Sequence, residues 1–474
     1  MHPKSFSLSL TLLLAACAAP QPPASVAPFA PTQWHAPLPH GGSQVHLSEW
    51  WRQQGDPLLA ELIDAAQSAS PSIASARARL EQASAARVAA GAALLPTLDA
   101  TASLSRSSAQ PPLPMGTTAQ AGLQSAWEID LFGAGRAGRE AAQFRLEGAA
   151  AGWHDARVSV AAEVASEYYN LRACEKLYAI ALSDAASRAE TARLARLSEE
   201  AGFMAPATSA LARASAAESS ARAKQQQAQC EAGIKSLVAL TALAEPDLRR
   251  RLSLAPAADI PEATFAVASL PAQLLAQRPD VFAAEQEVAA ASADVGAARA
   301  QRFPRLALSG SIGRASFRAG GTDTELSAWS IGPLALSLPV FDDGRRAANV
   351  DAAQARYEEA VAGYRARVRQ AVREVEEALV RLDSTAARSR DVQTSVEGYR
   401  ASFNATEARY KGGLASLVEL EEARRTRLAA ENALVALENE RRAVWVNLYR
   451  AAGGGWEMPG RAADASAQQY TSRK

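Results

Sequence analysis

The sequence predicts a mostly α-helical chain that carries a membrane β-sheet, and three observations predict it. First, the chain repeats its own plan after about 208 residues: Pro71 returns as Pro279, and Leu95-Pro96-x-Leu98 as Phe303-Pro304-x-Leu306. Phe132-Gly133-x-Gly135-Arg136 returns as Phe341-Asp342-x-Gly344-Arg345, and Val160, Val164 and Leu171 as Val368, Val372 and Leu379. A period this long marks a duplicated half-molecule, because solenoid repeats recur every ~20 to 50 residues. Second, no proline falls between Pro114 and Pro206 or between Pro339 and Pro459, and strong helix formers dominate both stretches. Third, each half interrupts its helices at the same point with a pair of alternating segments.

The chain opens on a targeting signal, residues 1–16. Lys4 gives a positive start, and Phe6 to Ala16 is apolar but too short to span a bilayer. It ends in Leu14-Ala15-Ala16-Cys17, which resembles the bacterial lipobox. The resemblance implies that Cys17 is the lipidated first residue of the mature chain. Residues 17–49 are then a lipid anchor and a Pro/Ala-rich extended tether. One acyl chain holds a membrane weakly, so stable residence needs several chains or a second membrane element. After the signal no uncharged apolar run is long enough for a transmembrane helix, so any further membrane element must be built of strands.

Residues 50–268 form the first repeat, residues 269–456 the second, and 457–474 a flexible tail. In the second repeat, Arg345 to about Lys411 reads as one helix of roughly 65 residues, about 100 Å long at the α-helical rise. Its apolar seam runs through Tyr357, Val361, Tyr364, Val368, Val372, Val375, Leu379 and Leu382. The steps are mainly alternating 4 and 3, a heptad pattern with one stutter, as in a coiled coil. It continues through Val392, Val396, Tyr399, Phe403 and Tyr410. A weaker copy in the first repeat uses Val164, Tyr168, Leu171, Tyr178 and Leu182. Cys174 and Cys230 lie in this Ala-rich helical sequence and read as small helix residues.

Between the helices the period changes to two. Leu98, Ala100, Ala102 and Leu104 alternate with Asp99, Thr101, Ser103 and Ser105; Leu123, Trp127 and Ile129 alternate with Gln124, Ala126 and Glu128. The second repeat gives Leu306, Leu308, Gly310 and Ile312, then Leu334, Leu336, Leu338 and Val340. These are four strands of about 9–11 residues, within about 97–131 and 305–341. The polar stretches Ser107 to Gly122 and Arg318 to Ser327 read as hairpin loops. Trp127, Trp329 and Phe317 suit an aromatic girdle, and Leu336 the lipid face. A sheet in lipid must close, and membrane barrels begin at about eight strands. Four staves therefore require several copies of the chain. A soluble four-stranded sheet packed on helices is the other arrangement this pattern allows.

Composition excludes several functions. Fifty basic and fifty acidic residues cancel, which leaves no electrostatic footprint for nucleic acid. Of five histidines only His154 lies beyond the signal and tether, too few for a histidine-based triad or zinc site. No Gly-rich phosphate loop joins a strand to a helix, and Gly453-Gly454-Gly455 ends a helix instead. The chain reads as no enzyme, with no cofactor and no metal. A coiled-coil envelope lipoprotein without a pore would explain Cys17 and the long helices, but not four strands inserted at matched points.

Taken in order, these landmarks resemble the bacterial outer membrane factor family, the TolC-like exit ducts, and most nearly its OprM/NodT-type lipoproteins. The resemblance covers Trp50 to Trp456. It includes Trp50-Trp51, Asp56-Pro57-Leu58, Leu62-Ile63 and Arg409-Tyr410-x-x-Gly413 with Ala423 ten residues on. It implies a homotrimer in the cell outer membrane, with a 12-stranded barrel continued as a helical tunnel in the periplasm. Partners implied are outer membrane lipid, a periplasmic adaptor (membrane fusion) protein and an inner-membrane transporter, either an ABC transporter or a proton-driven pump. Cargo is then small molecules, or a whole toxin as in CyaE-type type I secretion. The resemblance also places the periplasmic gate at the turn containing Tyr410 and Gly413, with Glu419 and Glu422 ringing the pore. These two glutamates are three apart and share a helix face. The family's basic residue just after the Gly is replaced here by Ala415, leaving Arg409, Lys411 or Arg424 to serve as latch. Glu419, Glu421 and Glu422 also fit a plain solvated face.

Overall fold

A computed structural model describes residues 20–28, 30–31, 33–36, 50–53, 55–108, 115–255, 274–275 and 277–456. Cys17, the signal and the tail 457–474 lie outside the described residues. The elements are α1 (Trp50–Gln53), α2 (Pro57–Ala69), α3 (Pro71–Ala92), β1 (Thr97–Ser107), β2 (Gly116–Ile129), α4 (Ala134–Glu200), α5 (Pro206–Thr241) and α6 (Glu245–Leu254). After them come α7 (Pro279–Ala300), β3 (Arg305–Ala319), β4 (Thr322–Ser337), α8 (Arg345–Lys411) and α9 (Leu417–Ala451). The duplication is visible in the backbone. Pro71 and Pro279 each open a 22-residue helix, and α4 and α8 are each 67 residues long. Proline suits the first helical position because its missing N–H has no partner there anyway.

The chain divides into two units. The first holds the sheet and helix segments 76–92, 134–152, 280–300 and 345–367. Asp130 starts α4 by accepting from the backbone N–H of Gly135 (3.2 Å) and Arg136 (2.9 Å). Asp342 does the same for Arg346 at the start of α8 (3.3 Å). This explains an acid beside each Gly-Arg landmark.

The sheet is antiparallel in the order β1-β2-β3-β4. The register places Leu98, Leu123, Trp127, Ile129, Leu306, Leu308, Ile312, Ile331, Leu334 and Leu336 on one face. The other face carries Asp99, Thr101, Ser103, Gln120, Gln124, Glu128, Ser311 and Ser330. Two expectations change here. The strands are 11 to 16 residues long, and much of the two expected loops is strand, so β3 and β4 are joined by Gly320-Gly321 alone. Both glycines take positive φ (58° and 85°), which a two-residue hairpin turn requires. Phe317 opposes Thr118 and Thr324 on the polar face, over Gly116, and so leaves the girdle to Trp127 and Trp329.

The second unit holds the main core. Trp50 stacks on Tyr449 at 5.1 Å, and Trp51 meets the same ring edge-on at 4.7 Å. Asp56 caps α2 by accepting from Leu59 N–H (3.2 Å), and its other oxygen accepts from the buried Tyr168 hydroxyl (2.5 Å). The Asp-Pro landmark is thus a helix start tied to α4. Leu171, Leu237, Leu248, Leu379 and Leu448 fill the centre. Of the long seam in α8, Val375, Leu379, Val396 and Phe403 are buried, whereas Tyr399 stands exposed. Cys174 and Cys230 are not independent helix residues. They form a disulfide between α4 and α5, with Cα atoms 5.5 Å apart, because the two helices pack with these positions facing. His154 packs edge-on against Trp153 at 4.8 Å, and burial followed by the nearby Arg157 lowers its pKa.

Candidate functional site

Two features of the chain stand out as candidate sites: the two-faced sheet, and the helical hairpin tip between α8 and α9. The tip is made by local backbone geometry. Gly413 adopts φ +74°, and Leu414 N–H closes back on Arg409 C=O at 2.8 Å, a left-handed cap that ends α8. Three residues later Ser416 starts α9 with a capping box. Its hydroxyl accepts from Glu419 N–H (3.2 Å), while Glu419 accepts from Ser416 N–H (2.7 Å). Arg409 donates to Leu414 C=O at 3.0 Å and lies 3.8 Å from Glu419. Tyr410 packs half-buried on a small apolar cluster of Ala195, Ala212, Phe403, Leu417 and Leu420, and burial raises its pKa.

Glu419 and Glu422 are both exposed, at 52 % and 57 % of their side chains. Neither carboxylate is without a local partner. Hydrogen bonds from Ser416 hold Glu419 below the usual glutamate pKa, and the Arg425 guanidinium at 2.6 Å does so for Glu422. Ala415 brings no charge to the turn, and Lys411 pairs with Glu407 at 3.1 Å.

Glu421 departs from a solvated face. Its carboxylate accepts from Arg424 (2.8 Å), from Ser215 (2.9 Å) and from Arg188. Arg188 also holds Asp184 at 2.9 Å, and Arg424, only 1 % exposed, donates to Ser187 Oγ (2.9 Å) and Thr191 Oγ1 (2.7 Å). This cluster joins α4, α5 and α9 within the second unit. Its only sequence signal is Asp184 four residues before Arg188; the facing positions on α5 and α9 have none. The first repeat carries a matching tip that the sequence reading missed. Gly202 has φ +77°, and Phe203 N–H bonds to Ser198 C=O at 2.8 Å. The signal was present, since Gly202 precedes Gly413 by 211 residues. Phe203 and Leu414 project from the two tips at 89 % and 72 % exposure.

No helix among the described residues is long and apolar enough to cross a membrane.

Comparison with known proteins adds the following. The family model described as outer membrane efflux protein matches residues 62–243 and again 270–454. The pyoverdine export outer membrane protein OpmQ of Pseudomonas aeruginosa is 32 % identical, over 96 % of this chain and 98 % of that protein. The toluene efflux pump outer membrane protein TtgI of Pseudomonas putida is 29 % identical, over 85 % of this chain and 86 % of its own. Among solved structures, the outer-membrane channel OprN superposes with a TM-score of 0.82 at 29 % identity, covering 93 % of this chain and all of that one.

Proposed function

The chain belongs to the outer membrane efflux protein family and is an outer-membrane exit duct with a helical periplasmic tunnel; from that premise we propose that three copies together close a 12-stranded barrel through which small molecules leave. The observation that carries this reading is the sheet. Its order leaves β1 and β4 as edges, one face is a band of exposed Leu, Ile and Trp, and the other is polar. Edges in lipid must be paired, and β4 of one copy meeting β1 of the next pairs both. The apolar face then meets lipid and the polar face lines an aqueous duct. A spacer lipoprotein has no use for such a sheet. The repeats are read as 50–268 and 269–456, supported by the two family-model matches. The test is migration on detergent gels before and after boiling, with ion conductance in planar bilayers. A trimer that boiling removes, and a conducting pore, are expected; monomer without conductance overturns the reading.

Efflux, rather than export of whole proteins, is favoured because the similar proteins are named for pyoverdine and toluene. A periplasmic adaptor protein docking on the tips, where Phe203 and Leu414 stand exposed, and a proton-driven inner-membrane pump complete the path. Cys17 is read as the lipid anchor. The segment after it is held close to the sheet: Pro20 C=O accepts from Arg299 (2.5 Å), Pro22 C=O from Ser292 (2.5 Å) and Pro23 C=O from Tyr357 (2.9 Å). Three residues separate Cys17 from Pro20, a reach of about 11 Å at most, and Arg299 lies six residues before β3. Cys17→Ala should abolish acyl labelling while the chain stays in the outer membrane fraction through its barrel; release into the periplasm would mean that the strands do not span lipid.

At the entrance, Glu419 and Glu422 of three copies, beside Tyr410 and the Gly413 turn, form an acidic ring that attracts cations. Tyr410 in its apolar cluster and the buried Arg424 hold the tip, in place of a basic residue at 415. Glu419→Gln with Glu422→Gln should lower cation selectivity and block by multivalent cations from the periplasmic side, while glutamine preserves the capping box. In the unmodified chain, selectivity should persist as pH falls to the ordinary glutamate value of 4.5 and fade below it, because both carboxylates are held low. Unchanged selectivity in the double variant would place these glutamates outside the pore.

A further inference from the structure

We infer that the sheet's lipid-facing side carries a binding site for a phosphate-bearing glycolipid of the outer leaflet, centred on Arg106 and Arg314. The inference rests on the barrel reading above. Its starting point is an anomaly of sidedness. The three arginines in the loop-proximal halves of the strands, Arg106, Arg314 and Arg318, all lie on the apolar face and none on the polar one. Arg106 opposes Thr117, Arg314 opposes Ala121 and Ser327, and Arg318 opposes Thr117 and Asp323. Were solvation their only need, the aqueous duct on the other face would serve it without cost. On a lipid-facing position, arginine is strongly unfavourable at mid-bilayer and nearly cost-free at the interface. These residues must therefore sit at headgroup level.

The surrounding rows support that height. From Leu306 to Ile312 the apolar rows of β3 span about 20 Å at the usual strand rise, against a band ~25 Å tall in membrane barrels. Trp329, 73 % exposed, pairs with Ile312 in the last apolar row, and Arg314 opposite Ser327 follows in the next. An interfacial tryptophan thus lies one row below an arginine, on the neighbouring strand. The helices at the other end of the strands are periplasmic, so this end faces the outer leaflet.

The groups available there suit phosphate. Arg314 donates from Nε to Ser327 Oγ (3.3 Å), which leaves Nη1 and Nη2 without a partner among the described residues. Arg106 is likewise without one. Arg318 is paired to Asp323 at 2.5 Å and contributes less, and Glu325 is the remaining acid on this face. A guanidinium fork matches phosphate oxygens two at a time. Beside it lies a shallow groove of about 590 Å³ lined by Ala102, Leu104, Ala119, Ala121, Arg314 and Glu325. These six belong to the apolar face by register, as does Ser316, while Ser103, Gln120 and Ala315 of the other face complete the lining. Small residues between Leu104 and Arg314 leave room for an acyl chain whose phosphorylated headgroup is gripped by the arginines.

The test is retention of diphosphoryl lipid A by the purified full-length oligomer, read by native mass spectrometry and by titration in detergent. One basic residue near an anionic lipid surface contributes about a fivefold gain in binding, so R106Q/R314Q should lose affinity about thirtyfold while its unboiled oligomer is unchanged. R106K/R314K, which keeps the charge but loses the fork, should retain only part of it. Unchanged affinity in R106Q/R314Q, equal retention of dephosphorylated lipid A, or equal retention of phosphatidylglycerol would each overturn the proposal. Absence of any oligomer in the unmodified chain would overturn the barrel reading, and the site with it.

Discussion

Glu421→Gln is expected to destabilise the second unit by about 3–5 kcal/mol, the usual cost of removing one partner from a buried ion pair. The reason is what it leaves behind. Arg188 and Arg424 are 7 % and 1 % exposed, and both point at the Glu421 carboxylate. Without it, two guanidinium groups stay desolvated, Arg188 with Asp184 and Arg424 with only the charges of Asp184 and Glu407 to offset it. The melt of purified protein followed by far-UV circular dichroism reads the loss, and hydrogen exchange should rise at the start of α9 and around residues 184–191. Glu422→Gln is the control. Its exposed pair with Arg425 contributes little and should change neither measurement. Arg424→Met in the Glu421→Gln background should add far less than it does alone, because both act on one cluster. Additive losses would mean that the cluster is not a coupled unit.

That cluster also marks where sequence reasoning ran out. The helices were legible because propensity, absence of proline and a 4-3 seam are local patterns, and the seam residues Val375, Leu379, Val396 and Phe403 are buried as the pattern requires. The tip was placed by the resemblance carried by Arg409-Tyr410-x-x-Gly413, and Gly413 does make the left-handed cap; the capping box Ser416-x-x-Glu419 was a local signal the sequence reading left unused. Partners from distant helices were not. Nothing within several residues of Glu421 announces that Arg188 faces it from α4, and the pairing of Cys174 with Cys230 is likewise a product of packing. The strands were found by alternation, but only as far as the alternation is apolar. Beyond the lipid band both faces turn polar, so Gly116 to Gly122 and Arg318 to Ser327 looked like loop although the ladder continues through them. Phe317 went to the wrong face for the same reason: among polar neighbours a single aromatic cannot set its own register.

Ile331→Arg is expected to block assembly of the barrel, at a cost of about 2–4 kcal/mol per chain. The register sharpens the choice of residue. Leu336 pairs with Leu306 in the apolar row nearest the helices, so an arginine there reaches the interface and should cost about 1 kcal/mol. Ile331, 83 % exposed and opposite Gly310, lies in the middle of the band, where the guanidinium has no short route to water. The neighbouring Ser330 points the other way, toward Ser311 at 2.9 Å on the polar face. Ser330→Arg therefore places the same charge in the aqueous duct, one residue away, and should leave the oligomer intact. The outer membrane fraction of cells making each variant, run unboiled, gives the answer. Loss of the oligomer with Ile331→Arg and its survival with Ser330→Arg is the outcome that two opposite faces demand. If Ile331→Arg assembles normally and Ser330→Arg does not, the lipid and duct faces are exchanged, and Arg106 and Arg314 then line the duct.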